Sequence, residues 1–173
     1  CLQHSVTVSE ARHCWSPAVA EMALTLALAG LRRTSDYHLA MRRGAEKWVE
    51  SFPIDIDPRE RQMAGRTVGI VGFGGIGQRL AGLLAPFGVT LQIYDPYIPK
   101  KIARAHTATP VSLERLAKSS EVIVLCAANT SSTRHLIDAR IIRSFPRDCV
   151  LVNVGRASLI DMDALVKRLR NND

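Results

Sequence analysis

The sequence predicts an α/β fold: a doubly wound parallel sheet with helices on both faces, preceded by one long apolar helix. Three observations carry this expectation. From Arg66 onward, short apolar runs alternate with amphipathic ones, as strands alternate with helices. The strand-like runs are apolar almost without interruption, the pattern of parallel strands buried on both faces. The first of them opens directly into a glycine-rich turn.

Each element follows from local signals. His4 to Glu10 alternates and reads as a short strand. Ser16 followed by Pro17 has the form of an N-cap and a first helical residue, predicting a helix from about Pro17 to Arg33. That helix is apolar nearly all round, so burial on more than one side is expected, as at a domain junction or subunit interface. Ser35 to Trp48 predicts a second, more polar helix, and Ser51 to Glu60, with Pro53 and Pro58, a connection. The alternating region then reads as strand Thr67–Gly72, helix Ile76–Phe87, strand Val89–Asp95, a helix over Ser112–Ser119 capped by Ser112, and strand Glu121–Ala127. A helix over Asp138–Phe145, strand Cys149–Gly155 and a helix over Asp161–Arg170 capped by Asp161 complete it. Such alternation implies right-handed crossovers in an open sheet.

Length and composition bound the function. At 173 residues the chain is long enough for one sizeable domain with its own core. Cys1, Cys14, Cys126 and Cys149 are far apart, with no metal-ligand spacing, so no metal site is expected. Their scatter also fits a reducing, cytoplasmic setting. The net charge is +7, but the basic pairs Arg32-Arg33, Arg42-Arg43 and Lys100-Lys101 are dispersed and aromatics make up only 5%. This argues against a nucleic-acid footprint and for a field that attracts anionic ligands. The longest apolar run, Ala18 to Leu31, contains Glu21 and is too short to span a bilayer, so no membrane partner is expected. A first residue Cys1 and an end at Arg170-Asn171-Asn172-Asp173 suggest a piece of a longer protein.

Gly72-Phe73-Gly74-Gly75-Ile76-Gly77 fits G-x-G-x-x-G. Its context makes it specific: it follows a strand, opens a helix, and precedes an acidic residue, Asp95, at the end of the next strand. This is the phosphate cradle of a Rossmann-type sheet. Gly72 permits the tight turn, Gly74 lets backbone approach a pyrophosphate, and Gly77 allows close helix–strand packing. The helix start offers free N–H groups to phosphate. Asp95 is placed to accept hydrogen bonds from an adenosine ribose, and its charge would repel a 2′-phosphate, so NAD is expected rather than NADP. The plainer alternatives are a tight turn without ligand and a solvated turn aspartate. A second informative stretch is Val150 to Asp161, where Arg156 follows a strand end. Ligands of open α/β sheets sit at the carboxyl ends of the strands, and an arginine there can hold a carboxylate through two parallel hydrogen bonds, unless it is only a surface ion pair.

Taken together these segments resemble the D-isomer-specific 2-hydroxyacid dehydrogenases over nearly the whole chain. "SPAVAEMALTLALAGLRR" is similar to the family's long helix between its substrate and cofactor domains, and "GRTVGIVGFGGIGQRLAGLLAPFGVTLQIYDPY" to its cofactor signature. "SLERLAKSSEVIVLCAANTSSTRHLID" resembles its next block, including Thr130 and Thr133, and "VLVNVGRASLIDMDAL" the block that carries its substrate-binding arginine.

The resemblance implies two domains with a cleft between them, residues 1–14 closing the substrate domain and 15–173 forming an NAD-binding domain cut before its last strands. It implies hydride transfer between NAD(H) and a small 2-hydroxy or 2-oxo acid. Arg156 would bind the substrate carboxylate. Gly75 and Ile76 would contact the pyrophosphate, Asp95 the ribose, and Ala127 and Val154 the cofactor at their strand ends. The long helix and the segment after it would form a homodimer interface. Two departures stand out. Cys126-Ala127-Ala128 replaces the family's frequent His-x-Pro, with Cys126 read as a small buried apolar residue, and Ala157 replaces the glycine usual after the arginine. The family's catalytic glutamate and histidine would fall beyond Asp173, and His4, His13, His38, His106 and His135 match neither role. The chain itself is thus expected to bind cofactor without turnover. Two alternatives compete: an NAD-regulated corepressor-like module of the same fold, and the cofactor domain of another NAD enzyme such as an adenosylhomocysteinase, against which the Arg156 block counts.

Overall fold

The computed structural model describes residues 13–45, 57 and 59–171. The strand read over His4–Glu10 lies outside them. Two helices lead, α1 (Ser16–Leu31) and α2 (Thr34–Arg42). The alternating unit follows: β1 (Thr67–Val71), α3 (Gly75–Leu84), β2 (Thr90–Tyr94), α4 (Lys100–Ala105), β3 (Thr109–Pro110), α5 (Leu113–Ser119), β4 (Val122–Leu125), α6 (Ala139–Ser144), β5 (Val150–Asn153) and α7 (Met162–Arg170). All strand pairings are parallel, in the order β3-β2-β1-β4-β5. The chain winds outward from β1 to β3, then crosses to β4 on the other side, so the winding reverses between β1 and β4.

The alternation of side chains along β1 divides the core. Val68 and Ile70 face a cluster built with Ala20, Ala23, Ala27 and Leu31 of α1, Leu80 and Leu84 of α3 and Ala103 of α4. Val71 faces the other cluster, with Leu113 and Leu116 of α5 and Ile141 and Ile142 of α6. Helices therefore cover both faces, as expected. Gly69 also points at α5: a Cβ there would stand 2.5 Å from the Leu116 side chain and the Ser120 Oγ, so only glycine lets α5 lie this close to β1.

The helix starts are chemically explicit. Ser112, Asp138 and Asp161 each accept a hydrogen bond from the N–H three residues on, satisfying one free donor of α5, α6 and α7. Ser16 does not cap α1. The helix begins at Ser16 itself, with Trp15 in the cap position and no side-chain cap, because Ser16 is buried beside Gly75 of α3. Nor is α1 buried on several sides within the described chain. One stripe, Ser16, Ala20, Ala23, Ala27 and Leu31, is buried, while Trp15, Met22 and Leu26 are exposed. Between Tyr97 and Ser112, where the sequence pattern predicts no element, lie α4 and β3. The first is short and basic, with one buried residue, and the second is a two-residue edge strand whose Pro110 lacks a donor that an edge does not need. Among the described residues no helix is long and apolar enough to cross a membrane.

One polar link joins the strand starts. Glu121, just before β4, accepts from Arg66 Nη1 at 2.5 Å and from the Thr67 N–H at 3.1 Å, at the start of β1. Burial pushes the Glu121 carboxyl up, but the bonds from Arg66 and Thr67 and the nearby positive charge outweigh it and leave it below the ordinary glutamate value. A depressed folded-state pKa adds stability that is complete above the unfolded value of about 4.3 and is lost as pH falls through the folded one. The pair is a third exposed, so its contribution is about 1 kcal/mol. Glu121→Gln is expected to lower the melting temperature at pH 7 by roughly 2–4 °C. The difference from wild type should close below about pH 4; thermal melts at pH 7 and pH 3 would refute this if the gap persisted at the lower pH.

Candidate functional site

The glycine turn sits where the winding reverses, the crevice in which open α/β sheets bind ligands. Gly72 follows β1 with φ +89°, a conformation natural to glycine. A Cβ on it would lie 2.6 Å from both the N and Cα of Ala127, the backbone that leaves β4. A Cβ on Gly77 would lie 2.5 Å from the Gly72 carbonyl oxygen. The two glycines thus let turn, helix and neighbouring strand close on one another. Gly74, the N-cap of α3, differs: nothing in the protein comes within 4 Å of where its Cβ would be, so its bare backbone faces a cavity.

That cavity measures about 520 Å³. Gly72, Gly74, Asp95 and Ala127 line it together, with Tyr94, Pro96 and Tyr97 on one side and Thr130, Thr133 and Leu136 on the other. Of the residues singled out from sequence, Gly75, Ile76, Gly77, Val154 and Arg156 are not in its lining. Gly77 lies under the turn, Ile76 and Val154 pack against the core, and Arg156 is on the loop after β5.

Asp95 is held by backbone. Its Oδ2 accepts from the Phe73 N–H at 2.7 Å and its Oδ1 from the Tyr97 N–H at 2.9 Å. One carboxylate therefore ties the glycine turn to the segment after β2, and each oxygen keeps a lone pair for a ligand hydroxyl. The opposite wall is shaped by Thr133, whose hydroxyl donates to the Ala128 carbonyl at 2.7 Å and accepts from the Thr130 N–H at 2.8 Å. These bonds fold the loop without the proline found in the family's frequent motif.

The Arg156 loop is braced in the same manner. Asn153 accepts from the Gly155 N–H and donates to the Arg156 carbonyl, each at 3.0 Å. Ser158 bonds Asn129 at 2.8 Å, and an Ile137–Ile160 bridge joins the loops after β4 and β5. Among the described residues no carboxylate pairs with Arg156, whose guanidinium reaches only the Gly155 carbonyl, at 3.3 Å. An exposed cation without an internal counter-charge, on a loop fixed to the cavity wall, is available to an anionic ligand.

Cys126 also lines the cavity, and burial pushes its thiol up to about 12. Cys149 is pushed to about 12 by the same cause, while Cys14 is exposed. Reactivity follows thiolate content. A brief iodoacetamide pulse on the native chain at pH 8 is therefore expected to label Cys14 and spare Cys126 and Cys149, which are half-buried, in peptide maps; rapid labelling of Cys126 would contradict the inert assignment.

Residues 24–173 match the family model for the D-isomer specific 2-hydroxyacid dehydrogenase, NAD binding domain. The chain is 31% identical over 169 residues to a D-3-phosphoglycerate dehydrogenase from Methanocaldococcus jannaschii, covering 97% of this chain and 31% of that protein. It is 32% identical over 157 residues to a hydroxypyruvate reductase from Thermotoga maritima, covering 89% and 47%. Among solved structures, a phosphoglycerate oxidoreductase from Rhizobium etli superposes with TM-score 0.84 at 27% identity, covering 99% of this chain and 53% of that one. A D-lactate dehydrogenase from Aquifex aeolicus, complexed with NAD and lactic acid, superposes with TM-score 0.79 at 26% identity, covering 92% and 46%. The chain spans from 31% to 53% of the length of these relatives. All four are oxidoreductases by name, and the corepressor-like alternative draws no support from them. A glycine turn at the switch point, an aspartate at the end of the second strand, and a family match over most of the sequence lead to one conclusion: the chain belongs to the D-isomer specific 2-hydroxyacid dehydrogenase family, as its NAD-binding domain.

Proposed function

We propose that this chain is the cofactor half of an enzyme that moves hydride between NAD(H) and a small 2-hydroxy or 2-oxo acid, with residues 1–14 ending the substrate domain and 15–173 holding the cofactor. The observation that carries the reading is the cavity at the switch point, lined together by the bare Gly74 backbone and the anchored Asp95 carboxylate. NAD, when bound, supplies the hydride acceptor or donor. The chain's own residues do the rest. Gly72, Gly74, Gly75, Ile76 and Gly77 shape the α3 start that receives the diphosphate. Asp95 accepts from the adenosine ribose hydroxyls. Ala127 and Val154 border the cofactor at the ends of β4 and β5. Arg156 binds the substrate carboxylate and, beside its carbonyl, stabilises negative charge that develops on that oxygen.

A titration of the 173-residue chain with NADH, followed by fluorescence, is the direct test, run beside assays of NADH consumption with glyoxylate, hydroxypyruvate and pyruvate. Saturable binding with negligible turnover is expected. Failure to bind NADH defeats the cofactor assignment, and robust turnover defeats the assignment of the proton donor to residues outside this chain.

The exposed apolar residues Trp15, Met22 and Leu26 of the α1 region and Tyr37, Leu39 and Met41 of α2 support a homodimer through this surface. Light scattering at high micromolar concentration is expected to give twice the chain mass, and a strictly monomeric mass counts against it.

A further inference from the structure

The fourth position of the glycine motif, Gly75, has no side chain, and the space where one would begin is filled from another element. His13 Nδ1 overlaps the position a Cβ on Gly75 would take; His13 Cε1 lies 2.6 Å from that point and Ser16 Oγ 2.8 Å. His13 is 62 positions away in sequence and reaches this place through tertiary packing. Its backbone sits at φ +64°, a left-handed conformation uncommon for a non-glycine residue. Its carbonyl accepts the Ser16 N–H at 3.0 Å, which folds the turn back over the start of α3. Held outliers of this kind concentrate at functional sites.

The surroundings favour an anion. Helices α1 and α3 both begin here and run the same way. Ser16 lies beside Gly75 at their starts. At their far ends the Leu31 carbonyl accepts the Arg61 N–H and the Phe87 carbonyl the Gly65 N–H, both in the segment leading into β1. Two positive helix ends therefore converge on the turn. Within α3 the first intrahelical bond is Gln78 N–H to the Gly74 carbonyl, so the N–H groups of Gly75, Ile76 and Gly77 have no intrahelical acceptor. Nδ1 lies against Gly75, and among the described residues no group hydrogen-bonds to the His13 ring.

From this juxtaposition we propose that His13 is a ligand of the dinucleotide diphosphate, supplying from the leading turn of α1 the polar donor that residue 75 lacks. The inference rests on the cofactor reading above and adds a residue to it. His13 donates through Nε2 to a diphosphate oxygen, while the α3 N–H groups bind the same anion from the other side. The turn before α1 thus closes over the cofactor, coupling diphosphate binding to the position of α1.

Calorimetric titration of NADH and of ADP-ribose into wild type, His13→Ala, His13→Gln and the double variant His13→Ala/Gly75→Lys tests this. Adenosine binding is followed by ligand-observed NMR, and a thermal melt of each variant checks the fold. Losing one hydrogen bond to a charged group should weaken NADH and ADP-ribose about tenfold in His13→Ala. Adenosine, which has no phosphate, should bind as before. His13→Gln, which keeps a donor, and the double variant, whose lysine grows into the vacated space, should each recover affinity. Unchanged NADH affinity in His13→Ala overturns the proposal. So does an equal loss for adenosine, which would mark His13 as structural packing. A wild-type chain that binds neither NADH nor ADP-ribose defeats the cofactor reading itself and this inference with it, whereas normal wild-type binding with an insensitive His13 defeats only this inference.

Discussion

Gly72→Ala is expected to destabilise the chain by about 3 kcal/mol and to abolish measurable NADH binding. Two costs add. The backbone at Gly72 is left-handed, which an alanine adopts at a penalty of roughly 1–2 kcal/mol. The new methyl would also stand 2.6 Å from the N and Cα of Ala127. Those are backbone atoms at the end of a central strand, so no rotamer change relieves the contact; β4 and the turn must separate. In a domain of this size such a loss corresponds to a fall in melting temperature of roughly 10 °C. Gly74→Ala is the informative contrast. No protein atom lies within 4 Å of its Cβ position, and its φ of −72° suits alanine. The melting temperature should move little, while NADH affinity falls at least about tenfold because the methyl occupies the space where diphosphate meets backbone. Equal effects of the two substitutions on melting, or a Gly74→Ala variant that binds NADH normally, would show that the cavity at Gly74 is not the diphosphate site.

This contrast also indicates what sequence can convey. The packing roles of Gly72 and Gly77 are legible because tight turns and close packing demand glycine at fixed spacing, and the place of Asp95 because it directly follows the second strand. Capping by Ser112 and Asp161 was legible for the same local reason. Ser16 misled because an N-cap residue type was buried against α3 instead of ending a free helix. β3 escaped notice because two residues carry no periodicity. His13 was unreadable in kind. Its place over Gly75 arises from the packing of α1 on α3, which small residues further along α1, Ala20, Ala23 and Ala27, allow. Local chemistry is written in neighbouring residues, whereas convergence of distant segments requires the tertiary arrangement.

Asp95 carries the second large effect, because in the proposed reading one carboxylate both ties the glycine turn to the segment after β2 and faces the ribose. Its two oxygens are already engaged by the Phe73 and Tyr97 N–H groups, so the side chain is oriented before a ligand arrives. Asp95→Ala frees both donors and removes two charge-assisted acceptors for a ribose diol. NADH affinity is expected to fall roughly 10–100-fold. Asp95→Asn separates the contributions. Its amide oxygen can still receive one backbone N–H, so the turn keeps part of its anchor, but the negative charge is gone. In wild type that charge opposes a 2′-phosphate at short range, so NADPH should bind far more weakly than NADH. Both variants should therefore narrow the ratio of NADPH to NADH dissociation constants, the alanine variant most, since it also opens space. Parallel titrations with the two cofactors decide the matter. If wild type bound NADPH as tightly as NADH, Asp95 would not face the ribose. If Asp95→Ala weakened both cofactors equally and left their ratio unchanged, its role would be confined to tying the glycine turn to the segment after β2.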